Sequence, residues 1–159
     1  MRRIRLAALI LALCSVVSAA EPPASRRILV IVSASRPITD ISTVDLRRIF
    51  LAQRTRWPDG HNIVPVLPPT RSPEGEFFLR HVVQTDEIDY AHTWIGAVFR
   101  GATASVPIVA ATSDQAKRFV AEERDAMAII RDTPIGSDAI RALSVDGKRP
   151  SDPKYPLSW

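Results

Sequence analysis

The chain has 159 residues, 46% hydrophobic and 24% charged, with 21 Lys+Arg against 17 Asp+Glu and one cysteine. This composition supplies enough apolar residues for a folded core and excludes a low-complexity or disordered chain. A lone cysteine excludes a disulfide framework, and the excess of basic charge implies nucleic-acid binding only if it clusters on the folded domain.

It does not cluster there. Arg2, Arg3 and Arg5 precede an apolar run over residues 6–17, followed by Ser18-Ala19-Ala20. A basic start, a short apolar run and small residues form a secretory signal, and the run is shorter than the roughly 20 residues of a membrane span. Residues 1–20 are therefore expected to be a signal peptide, cleaved after Ala20 or, as the close alternative, after Ala19. Residues 21–159 then form one exported domain, periplasmic in a Gram-negative source and not embedded in the membrane. Cys14 follows Leu13, where a lipid-attachment box needs a small residue, so lipidation is not expected. Cleavage removes three of the 21 basic residues and none of the 17 acidic ones, leaving 18 against 17, a net charge of +1. That ends the case for nucleic acid. The cysteine leaves as well, so the exported domain is expected to be held by its core alone.

Residues 27–33, Arg-Ile-Leu-Val-Ile-Val-Ser, are a nearly continuous β-branched run, expected of a strand buried on both faces. Ser35 and Arg36 lie in the loop that follows, first of all a connection and otherwise a second wall of a binding site, since open α/β sheets bind ligands at strand carboxyl ends. Ser42 and Asp45 suggest a capped helix over residues 44–51, with Leu46, Ile49 and Phe50 as its apolar stripe. Trp57-Pro58-Asp59-Gly60 signals a turn, with Trp57 expected to pack across the sheet edge. Residues 62–67 suit a strand, with Pro65 arguing against a central position. Ser72-Pro73-Glu74 then opens a helix, with a hydroxyl at the N-cap, Pro at N1 and a carboxylate in the first turn.

Thr85 is expected to cap the next helix, whose stripe is Ile88, Ala91, Ile95, Val98 and Phe99, with Gly101 as the stop. Residues 106–110 suit a third strand. Ser113 is expected to cap a helix with Ala116, Phe119 and Val120 facing inward, and residues 126–130 form a fourth strand. A short helix over residues 137–142 precedes Leu143-Ser144-Val145 and the Asp146-Gly147 turn. Alternating strands and helices of these lengths predict an α/β sheet domain.

The order of a helix ending Ile-Phe-Leu, several basic residues, Trp-x-Asp-Gly, a strand and then an Arg/Ser loop opening a Phe-containing helix resembles the phosphate-type periplasmic substrate-binding proteins. Tyr155-Pro156-Leu157 is similar to that family's closing strand. The resemblance covers most of the exported sequence and implies a type II periplasmic-binding-protein-like fold, a mixed sheet flanked by helices, in a chain long enough for one lobe. It also implies a small anion such as phosphate as ligand and a link to ABC-type phosphate uptake. In the family a Ser-Gly-Thr loop holds the oxyanion; the matching loop here is Thr70-Arg71-Ser72-Pro73-Glu74-Gly75, which makes Thr70, Arg71 and Ser72 the ligand-binding candidates. Arg71 offers a planar fork beside a helix N-terminus, the geometry that suits phosphate or carboxylate.

No catalytic constellation is present. His61, His81 and His92 have no metal-ligand spacing, and there is no nucleophile elbow or glycine-rich phosphate loop. No enzyme activity, cofactor or metal is expected. The competing function is a non-catalytic interaction module that kept the fold, lost the ligand and contacts another envelope protein. Arg47, Arg48, Arg54 and Arg56 cluster around the end of the first helix, where basic groups favour the dipole, and otherwise form a docking face for an acidic partner.

Overall fold

The structure, a computed structural model, describes residues 26–159; the expected signal peptide and Cys14 lie outside the described residues. Strand β1 (Ile28–Ser33) is buried at all six positions, as its β-branched run predicts. It lies inside a five-stranded sheet of order β4-β3-β5-β1-β6, with β3 (Val64–Leu67), β4 (Ile108–Val109), β5 (Ala126–Arg131) and β6 (Ile140–Ala142). β5 runs parallel to β3 and antiparallel to β1, while β4 is parallel to β3. A two-stranded parallel pair, β2 (Asp40–Ile41) with β7 (Ser144–Val145), stands beside the main sheet. This is the mixed sheet flanked by helices that was expected.

Alternation along the strands feeds two cores. Val30, Val32, Met127, Ile129 and Leu67 face α1 (Thr43–Phe50), α3 (Glu87–Phe99) and the segment between them. Ile31, Val66, Ala128 and Ile130 face α4 (Ser113–Glu122) on the opposite side. Between α1 and α3 lies α2 (Pro73–Phe77), which runs on as a π-helical turn over Phe78–Val83 and stops at Gln84 in a left-handed conformation. Each tryptophan expected to be structural is buried and hydrogen-bonded: Trp57 Nε1 donates to the Asp125 carbonyl at 3.0 Å and Trp94 Nε1 to the Phe50 carbonyl at 2.8 Å.

Several local expectations are corrected. β3 is internal despite Pro65, because Val64 N–H already bonds to the Asp125 carbonyl on the β5 side. The prolyl nitrogen therefore faces the other side, where β4 begins pairing only at Val66. The N-caps of α3 and α4 are Asp86 and Thr112, one residue away from the hydroxyls expected. The third strand shrinks from five residues to Ile108–Val109. The helix expected over 137–142 does not form; Ile140–Ala142 is a strand because it completes the free edge of β1, a non-local gain that outweighs a helix too short to sustain itself. The expected stripe of α3 faces outward: Ile88, Ile95 and Phe99 are exposed, and Tyr90, Trp94 and Ala97 are buried instead.

The loop into α2 is closed by a glycine. A Cβ on Gly75 would stand 2.2 Å from the Pro69 carbonyl oxygen, with only backbone around it to give way. Gly75→Ala should destabilise the fold by about 1–3 kcal/mol, the usual range for overpacking, although alanine is the better helix former by about 1 kcal/mol. Urea denaturation of the two proteins checks the sign.

Candidate binding cleft

Parallel pairing of β3, β4 and β5 brings their carboxyl ends to one edge of the sheet, the end at which open α/β sheets place ligands. There a cleft of about 280 Å³ opens, lined by Pro68, Ser72 and Glu74 on one wall, Ala111, Thr112 and Ser113 on the other, and Arg131 at the end of β5. Two helices point their N-termini at it. Ser72 caps α2 by accepting from Gly75 N–H at 3.1 Å, and Thr112 caps α4 by accepting from Gln115 N–H at 3.1 Å. The positive dipole ends of both helices thus border one space, with N–H groups at the start of α4, whereas at the start of α2 Pro73 has none and those of Glu74, Gly75 and Glu76 are taken by Glu74 and Ser72.

The charged pair in this cleft is Arg131 with Glu74. Nε and one terminal nitrogen of Arg131 both meet a single oxygen of the Glu74 carboxylate. Glu74 is buried, whereas the Arg131 side chain is 52% exposed. Burial works to raise the Glu74 carboxyl, but its own backbone N–H, Arg131 and Ser72 outweigh that and hold it below the ordinary value of 4.5. The carboxylate is therefore ionised at neutral pH, filling the helix N-terminus from within.

Of the three residues expected to bind the ligand, Ser72 lines the cleft. Thr70 and Arg71 turn to the other side of the loop and converge on Glu87 in the first turn of α3. Thr70 Oγ1 donates to Glu87 Oε1 at 2.6 Å and Arg71 Nε to Oε2 at 3.0 Å, an arrangement that lowers the Glu87 carboxyl. The Arg71 side chain is 86% exposed. Arg131 and Thr112 were not singled out in the sequence, and Ser113 only as a helix cap. The one local signal for Arg131 was a basic residue directly after a buried run of apolar residues.

Ser35 and Arg36 form no second wall. β1 is antiparallel to β5, so its carboxyl end lies at the opposite edge of the sheet from the cleft. Arg36, only 2% exposed, is instead paired with Asp59 and Asp125, and its guanidinium lies 4.9 Å from the Trp57 ring centroid. Burial works to raise the Asp59 carboxyl, but the His61 N–H and Arg36 lower it overall. Among the other arginines, Arg47 bonds Gln84, Arg54 pairs with Asp45 at 3.2 Å, and Arg56 donates to the Gly60 carbonyl. They are tied into local contacts around the end of α1 and the turn after it.

No protein-family model matches the chain, and no curated protein matches it. Solved structures do. The phosphate ABC transporter substrate-binding protein of Clostridium perfringens, with bound phosphate, superposes with a TM-score of 0.62 at 19% identity, covering 79% of this chain and 47% of that one. The ABC-type phosphate transport receptor of Vibrio cholerae gives 0.64 at 16% identity, covering 83% and 53%. PstS from Borrelia burgdorferi gives 0.65 at 13% identity, covering 84% and 55%. At such identities the likeness is one of fold, and this chain spans about half the length of the structures it matches. Among the described residues no helix is long and apolar enough to cross a membrane.

The Glu74–Arg131 pair has a pH signature. A carboxyl lowered in the folded state contributes stability that is fully present above its unfolded value of 4.5 and is lost as pH falls through the folded one. Glu74→Gln should therefore cost stability at neutral pH, toward the low end of the ~1.5–3 kcal/mol typical of a charge-assisted hydrogen bond, given the exposure of Arg131. The deficit should narrow below pH 4.5, which denaturation of both proteins at several pH values would reveal.

Proposed function

We propose that this domain is an exported, non-catalytic binding module of the substrate-binding-protein type, and that its cleft takes a small oxyanion carrying an acidic O–H, such as hydrogen phosphate. The observation that carries the reading is Arg131 at the carboxyl end of β5, between two helix N-termini. A guanidinium has five N–H donors, and Glu74 engages those on Nε and one terminal nitrogen. The other terminal nitrogen remains for a ligand, alongside N–H groups at the start of α4 and the hydroxyls of Ser72, Thr112 and Ser113.

Glu74 adds the opposite demand. An ionised carboxylate in the cleft repels a fully ionised anion but accepts a hydrogen bond from an O–H group. Hydrogen phosphate offers oxygens to Arg131 and a proton donor to Glu74, while sulfate offers only oxygens. In this reading Ser72 contacts the ligand directly, and Thr70 and Arg71 join it only when Glu87 releases them. A place in ABC-type phosphate uptake belongs to the same reading, supported by the neighbours that share the fold.

The bonds from Thr70 and Arg71 to Glu87 favour a second reading. Groups that would hold an anion are bound by the protein's own carboxylate, as in a module that lost its ligand and contacts another envelope protein.

Thermal unfolding separates the two. Phosphate should raise the melting temperature as its concentration rises, because it binds only the folded state. Sulfate should do so far less, and sodium chloride at matched ionic strength not at all. The double variant Glu74→Gln/Arg131→Gln leaves no unpaired charge and should lose the phosphate effect, while Arg71→Ala should keep most of it. No shift of the parent protein at millimolar phosphate would favour the interaction module.

A further inference from the structure

We propose that the outward face of α3 and the adjoining β4 segment form an interface with a second copy of this chain, packed about a two-fold axis. The inference is independent of any ligand. Helix α3 is apolar on two faces. Tyr90, Trp94 and Ala97 are buried against the sheet, yet Ile88, Ile95, Val98 and Phe99 lie in solvent, with Ile88 67% and Phe99 86% exposed. A second apolar face left in solvent is one that association would cover. Val106 and Val109 extend the face: a groove runs between Ile95 on the helix and these two residues, floored by Tyr90 and Trp94. Six exposed aliphatic and aromatic residues on one side of the domain form the kind of apolar patch that marks an interaction site.

Charge and edge geometry choose the occupant. Strand addition is disfavoured, because β4 has two residues and Pro107 precedes it, features that protect a sheet edge. Helix packing is left. α3 has Asp86, Glu87 and Asp89 at its start and Arg100 at its C-cap, all exposed. Asp89 and Arg100 fall on the same flank of the exposed stripe, by helical spacing, at its two ends. A two-fold axis perpendicular to the helix lays α3 antiparallel on its copy, sets the stripes face to face and brings Asp89 against Arg100 of the second copy. The same operation opposes the helix dipoles and satisfies an isologous interface, in which one patch meets itself. His92 is the polar side chain within the stripe.

Sedimentation velocity of the purified protein over a wide concentration range tests this. A dimer that dissociates on dilution is expected. Ile95→Asp should shift it to monomer without changing the circular dichroism spectrum or melting behaviour of the dilute protein, since residue 95 is exposed. Arg100→Glu should weaken the dimer severalfold, and the charge-swapped Asp89→Arg/Arg100→Glu protein should regain it. Monomer at every concentration would overturn the proposal and give the face to a different partner. A dimer indifferent to Ile95→Asp, or a charge swap that fails to restore what Arg100→Glu removes, would overturn it too.

Discussion

Strand β5 is the element on which both halves of the molecule depend. Five of its six residues are buried, and alternate side chains enter opposite cores, Met127 and Ile129 on the α1/α3 side and Ala126, Ala128 and Ile130 on the α4 side. Its small residues, Ala126 and Ala128, let α4 lie close. It is also where strand direction changes, antiparallel to β1 on one side and parallel to β3 on the other. That reversal decides which loops can meet. The carboxyl ends of β3, β4 and β5 share an edge, and the carboxyl end of β1 is sent to the other.

An ion cluster guards each end of β5, and the two differ in the physics that matters. Arg36 is almost wholly out of water, and an arginine there is tolerable only because Asp59 and Asp125 both face it, with Trp57 beneath and the Arg124 carbonyl accepting at 3.3 Å. Its donors are directed inward, which makes it a clasp joining the loop after β1, the Trp57 turn and the start of β5. At the other end Arg131 is half exposed and has a single carboxylate partner. Its burial penalty is smaller and part of its fork still faces solvent. One arginine is structural and the other is available, and exposure together with donor count makes the distinction.

These differences explain what could be read from residue order. Caps and turns are local, so Ser72-Pro73 at the start of α2 and the Trp57-Pro58-Asp59-Gly60 turn were legible directly. So was β1, whose β-branched run has no competing helical period. Helix α3 was misread because it carries two apolar stripes: period alone favours Ile88-Ala91-Ile95, while the core takes the larger rings of Tyr90 and Trp94, which fill the space beside Phe50 and Leu67. β6 depends on a vacant edge of β1, more than a hundred residues earlier in the chain, and six residues of sequence carry no sign of it. Arg131 was invisible as a site residue for the same reason, since its place beside Glu74 follows from the pairing of β5 with β3. Arg71 looked decisive because it adjoins the cap, yet side-chain direction turned it to Glu87.

The cleft opens to solvent, which bears on how tightly such a site can hold an anion. A charge pair about 4 Å apart gains about 1 kcal/mol in water and about 4 kcal/mol at the dielectric of a partly covered surface. Arg131 and two helix ends facing bulk water therefore sit near the weak limit. Occlusion by a second body would raise the contribution of each contact without adding another. The cleft and the apolar face of α3 are close neighbours, separated by the loop whose Thr70 and Arg71 bond Glu87 while its Ser72 lines the cleft. Val109 belongs to the apolar groove and Ala111 to the cleft wall. A partner seated on α3 and β4 would thus stand at the rim of the cleft, and the Thr70–Glu87 bond would lie at the junction of the two surfaces. Cover and ligand would then act through the same loop, each affecting the dielectric or the conformation that the other meets. Gly75 keeps that loop in close contact with the backbone of α2, and its N–H holds the Ser72 cap, so loop and cap are parts of one packed turn.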